Sequence, residues 1–521
     1  MNKTKICILG AGVGGLTAAH ELVKQQYKYE IHVYEHNNKV GGQSRSVTLP
    51  GGDVSLYCWH VIGNGYVNLI SMLKEIRSYD GRTVLNHLKP IEEYIYGRST
   101  KEEGNKYKRE FITPFITKRN FKEFIQGIKS VGSDITYKDI YYLTKAYIIA
   151  NVVSEKRLEK YDSIKWKTYM KELSREAKKW IIDSTSIYIG MDYDKLSAHT
   201  VLNLLQQDIC SRKIDSRYTF FSFDDPISDV WFDPWVDYLK YRGVQFHFGE
   251  SIEKIRCNDE ENRIVSIKTS REDEVKSNIF INSLPIESFA QALQNSSVKN
   301  RYQQLSWYGQ QIQTQVTYYF DQEINISKPA ILIFPDTDWC LMARVEGPLW
   351  NVANKNVLSV GIGIWDRPGI IYNKAAIRCI RQEIATECWE QLKTADGLME
   401  SLKLADGISL LELDTPRWNI WDSFNYNDIE ELFVTPEPKF SNNCYTLKLR
   451  PHIVDEKYEN LRHAVAYART ETNIFNMESA AEAGIKATES ITLKKSHNNR
   501  PRSKRNRFLR LLRYLDKHIC Y

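Results

Sequence analysis

The residues with the plainest chemical meaning stand near the start of the chain, where Gly10-Ala11-Gly12-Val13-Gly14-Gly15 has the spacing G-x-G-x-x-G. In a strand-turn-helix unit the first glycine makes the tight turn, the second leaves room for a pyrophosphate, and the third lets helix pack on strand. The N–H groups of the first helical turn, with a partial positive charge of about half a unit, then favour an anion. Glu35 follows twenty residues after Gly15, where a carboxylate can accept both hydrogen bonds of a ribose diol. A carboxylate there suits an adenosine with a free 2′-hydroxyl and repels a 2′-phosphate. The chemistry implied is the holding of a dinucleotide, and this fingerprint alone does not separate NAD from FAD.

The elements that must position these residues are legible on either side. Residues 5–9 are a short apolar run, Leu16, Ala19, Leu22 and Val23 recur at helical spacing, and residues 31–35 form a second strand. From about 60 to 245 the pattern is mainly helical, with aromatic groups such as Tyr141-Tyr142-Leu143 and Trp180-Ile181-Ile182, and reads as an insertion. Strand-like alternation resumes at 244–248, 252–256, 264–269 and 279–284, the last stopping at Pro285. Further β-rich pieces occupy 313–320, 330–334 and 357–364, a helix is predicted over 374–392, and residues 459–493 form a last strand-turn-helix.

Length and composition bound the answer. The chain has 521 residues, beyond the roughly 250 to 300 at which one hydrophobic core stops growing, so two interleaved domains are expected. Hydrophobic residues are 42% and charged residues 26%, and no run approaches the ~18 apolar residues of a membrane span. Glycines interrupt the apolar start Ile6-Cys7-Ile8-Leu9, which does not read as a secretory signal, and cytosolic synthesis is expected. Nine scattered cysteines without a C-x-x-C pair read as reduced, mostly buried small hydrophobes. No H-E-x-x-H spacing occurs among the histidines, and the one H-x-x-x-H pair, His32 and His36, straddles a strand and its turn and does not suggest a metal. Asp224-Asp225 and Asp233, beside prolines, read as turn formers, and a Gly-x-Ser-x-Gly elbow is absent.

The net charge of +6 is a property of the tail. Residues 500–521 hold eight Lys and Arg against Asp516, and the other 499 residues carry 63 bases and 64 acids. A body that binds nucleic acid therefore has no support. Phe508, Leu509, Leu511, Leu512, Leu515 and Ile519 share one helical face, with Arg505, Arg510, Arg513 and Lys517 around it. Such a helix over 505–519 suits either an anionic membrane surface, at about 1 kcal/mol per base, or docking on the protein body.

Four separated blocks carry a more specific resemblance. They are Lys39-Val40-Gly41-Gly42-Gln43-Ser44; His60-Val61 with Tyr66 and Asn68-Leu69; Trp231 through Leu239 with Arg242-Gly243-Val244; and Asn460 through Tyr467 with Arg469-Thr470 and Met477-Glu478-Ser479-Ala480. In order across nearly 480 residues, they resemble the FAD-dependent amine oxidase and carotenoid/squalene desaturase superfamily, with the Trp231 block closer to the desaturases. The resemblance implies FAD as cofactor, with Gly41, Gly42 and Gln43 near the diphosphate and the Ile252 backbone at the adenine edge. It also implies a helix N-terminus at Met477 facing the flavin. The fold implied is α/β, a Rossmann-type FAD-binding domain built from 1–60, 246–290 and 446–495. It would be interleaved with a substrate domain, of mixed or antiparallel sheet plus helices, from the insertion 61–245 and residues 291–445. Residues 496–521 form the basic amphipathic tail.

Two departures stand out. Lys39 replaces the arginine usual before Gly-Gly, keeping the charge but losing the two-donor fork. Val465-Ala466 replaces a pair whose Asp, in the resemblance, accepts a ribityl hydroxyl; such a bond is worth ~0.5 to 1.5 kcal/mol, about tenfold in affinity, a loss compatible with retained flavin.

The reaction implied is hydride transfer to flavin N5 from a hydrophobic, isoprenoid or polyene, substrate held by the protein. Such a substrate, dissolved in lipid, would suit a peripheral position on a membrane. His60 is a candidate proton carrier and Tyr467 a candidate near the flavin; each reads equally as geometry or wall. Two alternatives stay open: an amine oxidase of the same superfamily, whose second cage aromatic is not found in the sequence, and a non-catalytic flavin-binding scaffold, suggested by Val465-Ala466.

Overall fold

The computed structural model describes residues 3–97, 135–178, 194–208, 214–215, 217–294, 296–350, 356–495 and 507–518. A five-stranded, all-parallel sheet is assembled from three distant parts of the chain: β1 (Thr4–Leu9), β2 (Tyr29–Glu35), β3 (Gln245–Phe248), β4 (Ile279–Asn282) and β5 (Leu461–His463). Their spatial order is β5-β4-β1-β2-β3. Ile6, Cys7, Ile8 and Leu9 are all fully buried, as a parallel strand covered on both faces requires. Two helices pack together on one face: α1 (Val13–Val23), which follows β1, and α2 (Met477–Thr492), which follows β5. Gly484 of α2 makes this approach possible, since a Cβ there would stand 2.5 Å from Gly14 O.

After β1 the chain turns one way to β2 and β3, and later the other way to β4 and β5. In open α/β sheets the crevice beyond the strand C-termini at such a switch point is where ligands bind.

The second sheet has six strands in the order Arg417–Ile420, Gln315–Tyr319, Val357–Ile362, Leu341–Val345, Ala330–Phe334 and Glu93–Tyr96. All its pairs are antiparallel except the last, between Ala330–Phe334 and Glu93–Tyr96. One face packs on the helix Arg381–Lys393 through Tyr318, Ile384, Cys388 and Trp389. The other packs on the helices Tyr137–Val152 and Ala198–Asp208 through Ile331, Ile333, Met342, Leu143 and Leu202.

The sequence pattern and the structure differ in three places. The region 60–245 contributes not only helices but the strand Glu93–Tyr96 and the small sheet of Ile62–Gly63, Phe220–Phe223 and Leu88–Pro90. Apolar-aromatic runs of four residues carry no usable periodicity, so a short buried strand is invisible there. The helix predicted from 374 begins at Arg381, because the Glu383 carboxylate accepts the Ile380 N–H (3.1 Å) and stops it at that turn. The region read as β-rich also opens on a helix, Lys299–Gly309.

All seven described cysteines are free and six are buried. Among the described residues no helix is long and apolar enough to cross a membrane. The tail helix Arg507–His518 lies on Tyr137–Val152. Asp516 is buried there, accepting the Ser154 N–H (2.8 Å) and pairing with Arg157, while Leu511 and Tyr514 are exposed. Trp180-Ile181-Ile182, the linker 496–506 with Arg505, Ile519, and the side chains of Phe508, Leu509, Arg510 and Arg513 lie outside the described residues.

Candidate active site

The glycine turn is held by three segments that meet only in the folded chain. Gly10 has φ +96°, and a Cβ on it would stand 2.7 Å from Ser283 O, just beyond β4. On Gly14 a Cβ would meet Ala464 O, just beyond β5, at 1.9 Å, and on Gly15 it would meet Gly10 O at 2.4 Å. The Gly15 N–H donates to Ser283 Oγ at 2.9 Å. Gly12 is different: its nearest neighbour is Ser283 Oγ at 3.7 Å, and it caps α1 while opening onto a cavity.

The second glycine pair lies opposite. Gly41 and Gly42 both have positive φ, the Gly41 N–H donates to Ala11 O (2.9 Å), and a Cβ on Gly42 would stand 3.5 Å from Gly12 Cα. Behind this loop, Phe232 fills the place where a Gly41 Cβ would sit, at 2.7 Å. Phe232 stacks on Trp231 (4.5 Å), Trp231 on Trp235 (5.8 Å), and Trp235 Nε1 donates to His20 Nδ1 on α1. The Trp231 block therefore braces the glycine loops from behind, and none of its four aromatics lines the cavity. What this block says about a desaturase concerns cofactor support and not substrate choice.

Glu35, at the end of β2, is buried on the cavity wall. Its Oε2 accepts the Ala11 N–H (2.8 Å), and its Oε1 accepts from Asn37 N (3.0 Å) and pairs with His36 (3.0 Å). Burial alone would raise its pKa, but the bonds from His36, Asn37 and Ala11 outweigh this and hold it below the ordinary carboxylate value. Oε1 also takes Asn37 Nδ2 (3.1 Å) and is fully used, but Oε2 takes a single N–H and has a second lone pair to accept from a ligand hydroxyl. Lys39 is committed to Asp233 (2.6 Å) and does not line up as a free anion ligand.

The remaining positions expected at the cofactor also reach this cavity. Ile252 opens the strand Ile252–Asn258, and Val13, Val465 and Ala466 lie on its wall. Met477 lies there too, beside Asn476, whose side chain caps α2 by accepting the Ser479 N–H. Glu478 ties this helix start to the segment after His60, accepting from Asn68 N, Asn68 Nδ2 and Leu69 N within 3.1 Å. Gln43 reaches the wall as well, but its amide donates to Glu437 O (3.2 Å) and Pro438 O (2.9 Å). With Arg45 on the Glu437 carboxylate and Tyr57 Oη on its carbonyl, Gln43 straps residues 437–438 across the second glycine loop.

His60 and Tyr467 both line the cavity. Burial first, then the charges of Lys439 and Arg344, push the His60 pKa down to about 3, so the imidazole is neutral across the physiological range. Its carbonyl accepts from Arg344 Nη1 (3.0 Å). The Tyr467 hydroxyl donates to Leu284 O (3.1 Å) and accepts from Asn282 Nδ2 (2.9 Å). Its hydroxyl is thus engaged by the backbone beyond β4, and its ring forms wall against Phe440.

The cavity, of about 1000 Å³, is at the upper end of cofactor and ligand sites. Beyond the glycine loops it continues along Trp59, Val61, Ile331, Met342, Ile362 and Phe440. Three polar residues on this far wall escape the sequence reading. Gln315 accepts the Trp59 N–H (2.5 Å). Burial pushes Glu287 up to about 7. Lys439 comes from the short strand Lys439–Phe440. Glu287 follows the end of β4, so the rule that ligands sit beyond strand C-termini could have found it; nothing in the sequence around Lys439 marks it.

These residues fit a dinucleotide. The gap between Gly12 and Gly42 is one that side chains would fill, α1 starts at it, and the Glu35 carboxylate stands at its side.

Residues 8–76 match the family described as NAD(P)-binding Rossmann-like domain. No curated protein matches the chain in sequence. Among solved structures, a putrescine oxidase bound to putrescine superposes with a TM-score of 0.62 at 13% identity, over 95% of this chain and 100% of that one. An oxidoreductase from Methanosarcina mazei gives 0.59 at 13%, over 94% and 100%. A protein assigned as protoporphyrinogen oxidase from Exiguobacterium sp. 255-15 gives 0.58 at 14%, over 95% and 99%. Residues 8–76 thus form an NAD(P)-binding Rossmann-like domain, and the chain as a whole shares the fold of these three proteins.

Proposed function

We propose that this chain is an FAD-dependent oxidoreductase that removes a hydride from a hydrophobic substrate, with an isoprenoid or polyene as the class to test first. The observation that carries the reading is the continuity of one cavity from the paired glycine loops and Glu35 to an apolar far wall. Bound FAD would supply a two-electron acceptor, taking a hydride at N5. The chain's part is binding and orientation. The first-turn amides of α1 would hold the diphosphate, Glu35 the ribose, and the start of α2 the flavin side, all three lying at the one cavity. Trp59, Val61, Ile331, Met342 and Ile362 exclude water from the place where a substrate C–H would lie. Neither His60, neutral and buried, nor Tyr467, with its hydroxyl engaged, has a free proton function.

Anaerobic mixing of the flavin-loaded protein with polyenes and squalene derivatives tests this: the flavin band bleaches with at least one of them. If every such compound leaves the band unchanged while amines bleach it and release peroxide in air, the amine oxidase reading replaces it. A purified protein that takes up no FAD on titration would leave the scaffold reading.

A membrane contact by the tail is part of the same proposal: Leu511 and Tyr514 are exposed on the helix that carries Lys517. Co-sedimentation with anionic vesicles, lost on removing residues 500–521, is the expected outcome.

A further inference from the structure

We infer that Lys439 anchors an anionic group of the substrate, so that the occupant of the far cavity is an apolar molecule ending in a carboxylate or similar anion and not an amine. This deepens the proposed oxidoreductase reading and rests on it for the identity of the cavity.

Lys439 lines the cavity from the strand Lys439–Phe440, which pairs with Gln310–Gln311. Among the described residues its ammonium has no ion pair and no hydrogen bond. Nearby acids are committed elsewhere. Glu437 is held by Arg45 (2.9 Å) and by Trp421 Nε1 (3.3 Å), and Glu346 takes both Nε and Nη2 of Arg344 through one oxygen. The titratable groups that act on one another beside it are Cys58 and His60, whose Sγ and Nε2 lie 3.7 Å apart, and neither offers a negative charge; Glu287, also on the far wall, is raised by burial to about 7 and accepts from Ser306 Oγ (3.4 Å). Burial lowers the pKa of Lys439, raises that of Cys58 and keeps His60 neutral. An ammonium taken out of water without a counter-ion is unfavourable, and an anion arriving beside it removes that penalty.

The surroundings decide what bears the anion. Val61, Ile331, Met342 and Ile362 are apolar, and Trp59 and Phe440 add flat aromatic surface. A cationic amine in the same space meets like charge in a low-dielectric site, where repulsion is strong. The wall therefore selects a long apolar body with one negative end.

Calorimetric titration of the purified flavin-loaded protein with decanoate and with decylamine, repeated on Lys439→Met and Lys439→Arg, tests the inference. The expected result is saturable binding of decanoate, weakened at least tenfold by Lys439→Met and largely retained by Lys439→Arg, with decylamine binding at least tenfold more weakly than decanoate to the unaltered protein. Thermal unfolding serves as the folding control, and Lys439→Met is expected to melt higher because it removes an unpaired, half-buried charge. No decanoate binding, equal binding of decylamine, or an unchanged decanoate affinity in Lys439→Met overturns the inference. So does a loss of FAD content in Lys439→Met with decanoate binding intact, since Lys439 would then serve the cofactor. The calorimetric signal needs no turnover, so failure of the redox reading, seen as no bleaching by any substrate class, is distinguishable from failure of this one.

Discussion

Gly42 and Gly12 face each other so closely that a Cβ on Gly42 would stand 3.5 Å from Gly12 Cα, although thirty residues separate them. The two glycine loops are joined by the Gly41 N–H to Ala11 O bond and form one slot over the start of α1. Gly12 and Gly14, two residues apart, have opposite demands within it, and this sets the first prediction. Gly14→Ala drives a methyl into Ala464 O at 1.9 Å and is expected to cost more than the ~1 to 3 kcal/mol of ordinary overpacking, giving little folded protein. Gly12→Ala has 3.7 Å of room and is expected to fold with a nearly unchanged melting temperature while losing FAD affinity. Thermal unfolding with FAD titration of both variants separates the cases; equal loss of stability would contradict the account.

Glu35 supplies a prediction with a pH sign. Its folded pKa lies below the ordinary value of 4.5, so the ionised form adds stability that is fully present above about pH 4.5 and fades as pH falls through the lower folded value. The unfolding free energy of the unaltered protein minus that of Glu35→Gln should be positive at neutral pH and shrink on acidification below 4.5. FAD affinity of Glu35→Gln should fall about tenfold or more, the size of a lost charge-assisted hydrogen bond at ~1.5 to 3 kcal/mol. Urea unfolding across pH, read by fluorescence, checks the first part.

Ala466 lies on the cavity wall with no donor or acceptor in its side chain. Ala466→Asp would place a carboxylate where the sequence resemblance implies one, adding a bond of ~0.5 to 1.5 kcal/mol. Tighter FAD binding by up to about tenfold is expected, measured by fluorescence quenching on titration. Unchanged or weaker binding would mean that the ribityl chain runs elsewhere.

His60 should be silent near neutrality. With its pKa held at about 3 by burial and by Lys439 and Arg344, its ring stays neutral from pH 8 down to 5. Nitrogen NMR of labelled histidines should show, besides His199, which burial also holds at about 3, a ring that does not titrate in that window and that disappears in His60→Asn. A His60 resonance titrating between pH 6 and 7 would contradict the electrostatics described.

The glycine-lined half of the cavity was legible because its constraints are local and severe. A turn that tolerates no Cβ at Gly10 and Gly14 writes itself into the sequence as glycine, and a carboxylate that ends β2 and accepts the Ala11 N–H stands at a fixed distance along the chain. The far wall left no such trace. Lys439, Gln315 and Met342 come from different strands of the second sheet and its neighbours, and each becomes a wall residue only through register that no spacing rule encodes. The Trp231 block shows the opposite risk: a legible motif whose residues turn out to brace Gly41 and α1 without touching the substrate space. The strand Glu93–Tyr96 was hidden for a simpler reason, since three buried apolar and aromatic residues after Glu93 read the same in helix or strand.

The most direct test of the central claim is to purify the protein, denature it, and identify and count the nucleotide released. The account predicts FAD at close to one per chain, either retained or restored by incubation with FAD, and its loss in Gly12→Ala. Release of NAD or NADP instead, or no dinucleotide bound even after incubation with excess FAD, would contradict it.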